Sequence, residues 1–491
     1  MTEAESDSDG KIEAKRPPSG RNTTIVGLRP SLDPANNDMA EFSGHEAVEK
    51  VAEMEAQTVE GDDQEDRLSN LPDDILMCIL DRVDVLRDVV RTGVLSRRWR
   101  HVVGLLSEIT LNPAYFEPPE DGSIFTLDAL VQSNVNLVKA VTSVLAHKSQ
   151  RTIKHLSLSF YLRDESIDIV RSVDHTMANR DVVTASFKII PEKTDLMCTN
   201  DDVVIYGRRF LSFFHNYPRV FAGLKSLHIE SLRLGNADIA DLLGTSKKLE
   251  YLRLHNCDCG VQSVLQIEHP QLTELDIVFC AFEKVELNWL PNLQRLTCST
   301  VHKTFELSEL LDNTIIVQLD LNFQSERIWI QPEAPRLLRP LLQNLRIVSL
   351  RGIHGECDLD WTMFFLEAAP LLKKISIWVW DHTCDGYEED EFKEYDQLWQ
   401  QILQKEEHGT LKWETPEDFK HYNLRALVIR CFEAEERFTK YIRRVIKAAV
   451  NLERISLFDS GSCARCHFSF PRTVRHLMTK QISEWRSSPL K

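Results

Sequence analysis

Apolar positions along this chain follow two different rhythms, one helical and one strand-like. The first starts abruptly at Leu68. In the run Leu71-Pro72-Asp73-Asp74-Ile75-Leu76-Met77-Cys78-Ile79-Leu80, the residues Ile75, Leu76, Ile79 and Leu80 share one face of a helix. Pro72 suits the first helical position, where a missing N–H costs nothing, and Asp73 and Asp74 meet the exposed amide dipoles of the first turn. A second short helix is predicted over 86–92, with Leu86, Val89 and Val90 inward, and Gly93 ends it. Ser96 reads as the N-cap of a third helix through Arg97-Arg98-Trp99-Arg100-His101-Val102-Val103. Three short helices bury too little to stand alone, so the unit needs a neighbour. Leu71, Pro72 and Ile75 are candidates for contact with an outside partner, or equally core of a small helical cap.

The second rhythm begins after Thr110. Its unit is Leu-x-x-Leu-x-Leu, seen in Leu224-Lys225-Ser226-Leu227-His228-Ile229, Leu249-Glu250-Tyr251-Leu252-Arg253-Leu254 and Leu272-Thr273-Glu274-Leu275-Asp276-Ile277, then in a truncated copy, Leu293-Gln294-Arg295-Leu296. The starts lie 25, 23 and 21 residues apart, inside the window for leucine-rich repeats. Further copies start at Leu345, Leu372, Leu424 and Leu452; an early copy starts at Ile153, and Ile316 to Leu321 is a degenerate one. Two apolar residues separated by one position share a strand face, and a single such unit cannot hide that face. Copies must therefore stack, each giving one short parallel strand.

The connections carry helix-like stripes: Ile239, Leu242 and Leu243; Leu337, Leu338, Leu341 and Leu342; Phe364, Phe365 and Leu366; and Tyr441, Ile442, Val445, Ile446 and Ala449. These predict convex-side helices packed on the sheet. The rhythm fails twice. No matching unit appears in the roughly 30 residues after Phe160, so the first repeats read as irregular. The 52-residue spacing from Leu372 to Leu424 holds the acidic positions Asp381, Asp385, Glu388, Glu389, Asp390, Glu391 and Glu394. That insertion, near 381–420, reads either as a solvated loop or as part of a contact surface.

Composition narrows the picture. Seventy-five acidic against 58 basic residues give a net charge of −17, which disfavours phosphate backbones and suits a basic partner. Residues 1–66 are polar and acidic, with too few apolar side chains to offset ordering, and read as a disordered tail. The 11 cysteines are irregularly spaced, no apolar signal segment follows Met1, and no stretch is long and apolar enough to span a membrane. Reduced cysteines in the cytoplasm or nucleus are expected.

The F-box of plant F-box/leucine-rich-repeat proteins is what the first rhythm resembles. The resemblance rests on Leu71-Pro72-Asp73-Asp74-Ile75-Leu76, Asp88-Val89-Val90-Arg91-Thr92 and Leu95-Ser96-Arg97-Arg98-Trp99-Arg100, in that order. It implies docking to a Skp1-type adaptor and, through it, a cullin, with Leu71, Pro72, Ile75, Leu76, Val90, Leu95, Ser96 and Trp99 at or just behind the interface. Gly93 stands where the family often has Ser. Toward the other end, Ala449-Val450-Asn451-Leu452-Glu453-Arg454-Ile455-Ser456-Leu457 is similar to the FBD region of the same family. The expected α/β architecture is an F-box over 67–110 built of three helices, an irregular leucine-rich-repeat solenoid over 111–422, FBD-like terminal repeats over 423–480, and a flexible tail over 481–491.

Catalytic signatures are absent: no phosphate-binding glycine loop, no His-Glu-x-x-His, no nucleophile elbow. Cys463-Ala464-Arg465-Cys466-His467 offers three metal ligands without a fourth, and reads first as ordinary reduced cysteines. No cofactor, no nucleic acid and no membrane is expected. Carried from the resemblance, the expected function is that of a non-enzymatic substrate adaptor of a cullin-RING ubiquitin ligase. A scaffold that binds the Skp1-type subunit without degradation, or a small-molecule receptor, are the alternatives.

Overall fold

A computed structural model describes residues 71–80, 102, 105–116, 126–146, 152–193, 197–260, 264–300, 305–311, 314–323, 330–354, 357–380, 413–432, 435–458 and 474–487. Helix α1 is Asp73–Leu80. Strand β1 (Glu108–Leu111) follows, then α2 (Leu127–Leu145), β2 (Ile153–Tyr161), α3 (Ile167–Asn179) and β3 (Val182–Ile190). Next come α4 (Asn200–Asn216), α5 (Pro218–Gly223), β4 (Ser226–Glu230), α6 (Asn236–Thr245), β5 (Tyr251–His255) and β6 (Val264–Glu268). The middle holds β7 (Glu274–Cys280), β8 (Lys284–Trp289), β9 (Arg295–Thr300), β10 (Phe305–Glu306), α7 (Leu307–Leu310), β11 (Gln318–Asn322) and β12 (Ile330–Gln331). The last part holds α8 (Pro335–Leu342), β13 (Ile347–His354), α9 (Met363–Ala368), β14 (Lys374–Trp380), β15 (Ala426–Arg430), α10 (Glu436–Ala448), β16 (Arg454–Phe458), β17 (Val474–Met478) and α11 (Thr479–Ser487).

Thirteen of these strands form one sheet in the order β1-β2-β3-β4-β5-β7-β9-β11-β13-β14-β15-β16-β17. Each strand pairs with its neighbour from the next repeat, in parallel throughout, until β17 returns antiparallel on β16. The register explains why the leucines recur. Leu227, Leu252, Leu275, Leu296, Leu319, Val348, Ile375, Leu427, Ile455 and Leu477 lie side by side in one row. A second row runs Ile229, Leu254, Ile277, Cys298, Leu321, Leu350, Ile377, Ile429 and Leu457. These side chains are almost fully buried in one continuous core, except Leu477 at its end, which is partly buried against it. Burying each such side chain contributes about 1.5–3 kcal/mol.

Several expectations need correction. The copy at Leu293 is not truncated, because the buried Cys298 fills its third apolar place. The stretch after Phe160, where no repeat unit is readable, forms α3 and β3, and β3 takes its place in the sheet through Ala185, Phe187 and Ile189. Return arms that carry no helical stripe include strands. After β5 and β7 the chain comes back as β6 and β8, which pair in parallel, and β10 pairs with β12 likewise. The expected flexible tail from 481 starts inside α11, whose Ile482 is buried.

Small devices keep the repeats in step. Asn292, Asn423 and Asn451, each just before a leading leucine, donate side-chain N–H groups to the Pro270, Pro370 and Tyr422 carbonyls of the preceding repeat, at 2.7, 2.8 and 2.8 Å. His269 and His421 sit three positions before Leu272 and Leu424. The His421 Nδ1 accepts from the Asn423 and Leu424 N–H groups at 3.3 and 3.0 Å, so its Nε2 carries the hydrogen and donates to the Ala369 carbonyl at 3.0 Å. His269 repeats the arrangement between Gln271 N–H and the Ser246 carbonyl. Burial lowers the pKa of both rings and keeps them neutral. Cys257 and Cys280 occupy one place in successive repeats; their thiols donate to the His255 and Leu254 carbonyls at 3.3 and 3.4 Å. Burial raises the Cys257 thiol far above its ordinary value, so it behaves as packing rather than as a nucleophile.

The final amphipathic helix forms as its spacing predicts: Phe438, Tyr441, Ile442, Val445 and Ile446 of α10 are buried, and the Tyr441 hydroxyl meets Thr362 at 2.7 Å.

Candidate partner-docking surfaces

The helical module offers the first surface. The N–H groups of Ile75 and Leu76 donate to the Pro72 carbonyl at 3.0 and 3.1 Å, so α1 starts where the sequence places it. Leu76 and Leu80 turn into the same core that runs under the sheet, and Val102 and Leu106 join them. Leu71 is half-buried and Pro72 is exposed; Ile75, which the spacing puts on one face with Leu76, Ile79 and Leu80, is instead 47% exposed. Leu76 therefore stands behind the surface that Pro72 and Ile75 present. Val90, Leu95, Ser96 and Trp99, with the second helix and all of the third but Val102, lie outside the described residues, as do Cys463, Cys466, His467 and most of the acidic insertion.

The second surface is the sheet face turned away from the return arms. Between β4 and β13 its charges are paired to one another. Arg253 faces Asp276 directly across two strands at 3.4 Å, and Asp276 also accepts from the Tyr251 hydroxyl at 2.8 Å. Glu274 faces Arg295 in the same way and forms an ion pair with it. Arg351 reaches Asp320 at 2.6 Å; burial pushes that carboxyl up, and the guanidinium opposes the push. Glu230 lies between His228 and His255, at 3.8 and 3.7 Å. Burial, helped by Lys188, Arg253 and His255, drives the His228 pKa down to about 2. Beside this group Phe279 holds a left-handed backbone with φ 54°, rare for a bulky residue, and its 39%-exposed ring stands edge-on to His255 at 5.4 Å.

Beyond β13 the character of the face changes. Trp378, Arg430 and Phe458 lie side by side in register on β14, β15 and β16. The Arg430 guanidinium sits 4.9 Å from the Phe458 ring centre and 6.0 Å from that of Trp378. None of Phe279, Trp378, Arg430 and Phe458 stands out in the linear sequence. The last three each follow the final apolar residue of a repeat (Ile377, Ile429 and Leu457), so aligning the repeats in register brings them into one column.

Known proteins carry the same two parts. Residues 68–108 match the F-box domain family. Residues 190–314, from the end of β3 to just past α7, match the family described as FBD-associated F-box protein At5g56370, LRR repeats. The chain carries an F-box and FBD-associated leucine-rich repeats. The F-box/LRR-repeat protein At5g54820 of Arabidopsis thaliana is 26% identical over 343 residues, covering 64% of this chain and 67% of that protein. F-box/LRR-repeat protein 25 of the same plant is 24% identical over 193 residues, 39% of this chain and 69% of its own length. The FBD-associated F-box protein At5g50270, also from Arabidopsis thaliana, is 24% identical over 212 residues, 43% of this chain and half of its own. The F-box match encloses α1 and ends at the start of β1, so the F-box and the repeats meet where Leu76, Leu80 and Ile109 share one core. Among the described residues no helix is long and apolar enough to cross a membrane, and no group of three His, Cys, Asp or Glu side chains is placed to hold a metal.

Proposed function

We propose that this chain is the substrate-recognition adaptor of an SCF-type cullin-RING ubiquitin ligase. The F-box takes a Skp1-type subunit through Leu71, Pro72, Ile75, Leu76, Val90, Leu95, Ser96 and Trp99, and the cullin joins through that subunit. The three-helix F-box packs on the first strand of a curved repeat solenoid, and the solenoid's open face holds the protein to be modified. The chain catalyses nothing itself. It works in the cytoplasm or nucleus by proximity, raising the effective concentration of a target lysine beside the loaded enzyme.

One observation supports this reading above the rest. An F-box match abuts a sheet of thirteen strands, and the exposed Pro72 and Ile75 face away from the core that joins the two. The test uses two F-box variants, Leu71→Ala with Pro72→Ala, and Ile75→Asp. Both are expected to lose co-purification with a Skp1-type subunit, while circular dichroism and the thermal midpoint stay those of the unaltered chain. Retention of the complex by both variants would sink the docking assignment. Proximity labelling with and without proteasome inhibition then asks for partners that accumulate only when the F-box is intact.

A further inference from the structure

The outward face of the sheet is segregated by charge. At the described outward positions of β4 to β13 the carboxylates are Glu230, Glu274, Asp276 and Asp320; the last three are bonded to arginines, and Glu230 is held between two histidines. The described outward positions of the last four strands hold no carboxylate at all. They are Lys374, Ser376 and Trp378 on β14; Ala426, Val428 and Arg430 on β15; Arg454, Ser456 and Phe458 on β16; and His476 and Met478 on β17. Lys374, Arg430 and Arg454 make no side-chain hydrogen bond or ion pair among the described residues. In a chain of net charge −17, three cations on one small patch with no carboxylate at its described outward positions are unexpected.

Arg430 is also pre-set. Flanked by two aromatic rings, its planar guanidinium gives up little further freedom on binding, and its donors are unspent among the described residues. Lys374 and Arg454 lie two strands apart in one row, and Arg430 lies between them four positions further along. With strands about 4.8 Å apart and a rise of about 3.3 Å per residue, that offset is about 13 Å along the strands. An extended peptide covers it in about four residues.

We infer that the outward face of β14 to β17 receives an acidic peptide segment of a partner protein, with one carboxylate forked onto Arg430 and a second, about four residues away, between Lys374 and Arg454. This rests on the adaptor reading and names the class of partner that its repeat face takes. It also reverses the expectation from net charge alone, since a basic partner would meet three cations here. A nucleic-acid strand fits less well. Phosphate backbones typically engage about six to ten cations, and the rest of the chain repels them.

The test uses the full chain purified with its Skp1-type subunit, and fluorescence anisotropy with a labelled ten-residue peptide carrying two glutamates four positions apart. A counterpart with glutamine at both places is the control. The glutamate peptide is expected to bind at least tenfold more tightly, with affinity falling as salt rises. Arg430→Gln is expected to weaken it about tenfold, Arg430→Lys less, and Arg454→Gln a few-fold, all with a thermal midpoint lowered by no more than about 4 °C. Equal binding of the glutamine peptide, indifference to Arg430→Gln, or tighter binding of a single-stranded oligonucleotide would each overturn the inference. So would a peptide that binds only after Glu388, Glu389, Asp390 and Glu391 are changed to their amides, because the occupant would then be this chain's own acidic run. Any of these results with the Skp1-type subunit still bound removes the acidic-peptide assignment and leaves the F-box assignment standing.

Discussion

The middle repeats, β5 to β11, and the final repeats, β14 to β17, are built on one inner plan and differ on everything that faces out. In both, the inner rows are leucine-class side chains in unbroken register. In the middle repeats the outward carboxylates and arginines are matched across strands; in the final ones the cations are left over. Inner positions are dictated by packing, which tolerates few residue types, whereas outward positions are free to carry recognition. A repeat protein can thus change what it binds without changing how it stands.

The largest expected effect tests the shared plan. Leu319→Ala in the middle and Ile375→Ala near the end are each expected to cost about 3 kcal/mol, since both residues are wholly buried in the same row. Chemical denaturation would read this, and a loss confined to one of them would mean the two regions do not share a core. Next in size is Arg351→Ala, which leaves the buried Asp320 without its cation and is expected to cost about 2 kcal/mol at neutral pH. Burial already raises the folded carboxyl, so the folded state holds its proton more readily than the unfolded chain does. Stability from this group is greatest at low pH and falls as pH rises through the ordinary carboxylate range. The penalty of Arg351→Ala should therefore shrink near pH 4, and a penalty that grows there would contradict the pairing.

Acid acts on the final repeats in the opposite sense through His421, and on the middle ones through His269. Both rings are held neutral in the fold, with Nδ1 facing N–H donors. Their stabilisation is complete above about pH 6.5 and declines as the unfolded chain takes up protons below it. Denaturation midpoints are expected to drop between pH 7.5 and 5.5, and His421→Gln to flatten part of that slope. The smallest effect marks the contrast most sharply. Arg430→Gln removes two ring contacts and no ion pair, so its cost should stay within about 1 kcal/mol, half or less of that of Arg351→Ala. A larger loss would mean that Arg430 serves the fold and is not reserved for a ligand.

How much of this was legible in the sequence follows from the same division. The copies from Leu224 to Leu457 can be read directly because inner positions must be apolar at fixed spacing. Strand β3 escapes the template because Ala185 fills a leucine place and no leucine leads it in. The strands β6 and β8 alternate apolar and polar residues, but they occupy arms where the neighbouring repeats use helices, and repeat length alone does not choose between the two. Helices α2 to α4 lie in repeats too long for the template and show only ordinary helical amphipathicity. At the F-box, the start of α1 at Pro72 is legible from its helix-start signals, whereas the docking role of Leu76 comes from the resemblance alone; the structure adds that Pro72 and Ile75 are exposed and Leu76 is buried. The ring–cation–ring column of Trp378, Arg430 and Phe458 is invisible until register is known, because its members lie 52 and 28 residues apart.

His421 and Asn423 have a consequence beyond local bonding. They reach back to the carbonyls of Ala369 and Pro370, across 52 and 53 positions of chain, and so suture the lattice on either side of the long acidic excursion. The neighbouring strands are locked by these stitches, whatever the excursion between them contains. Length changes between Asp381 and Leu411 are therefore expected to leave the rows on both sides in count, whereas Trp413, whose indole N–H donates to Glu367 at 2.8 Å, has to stay.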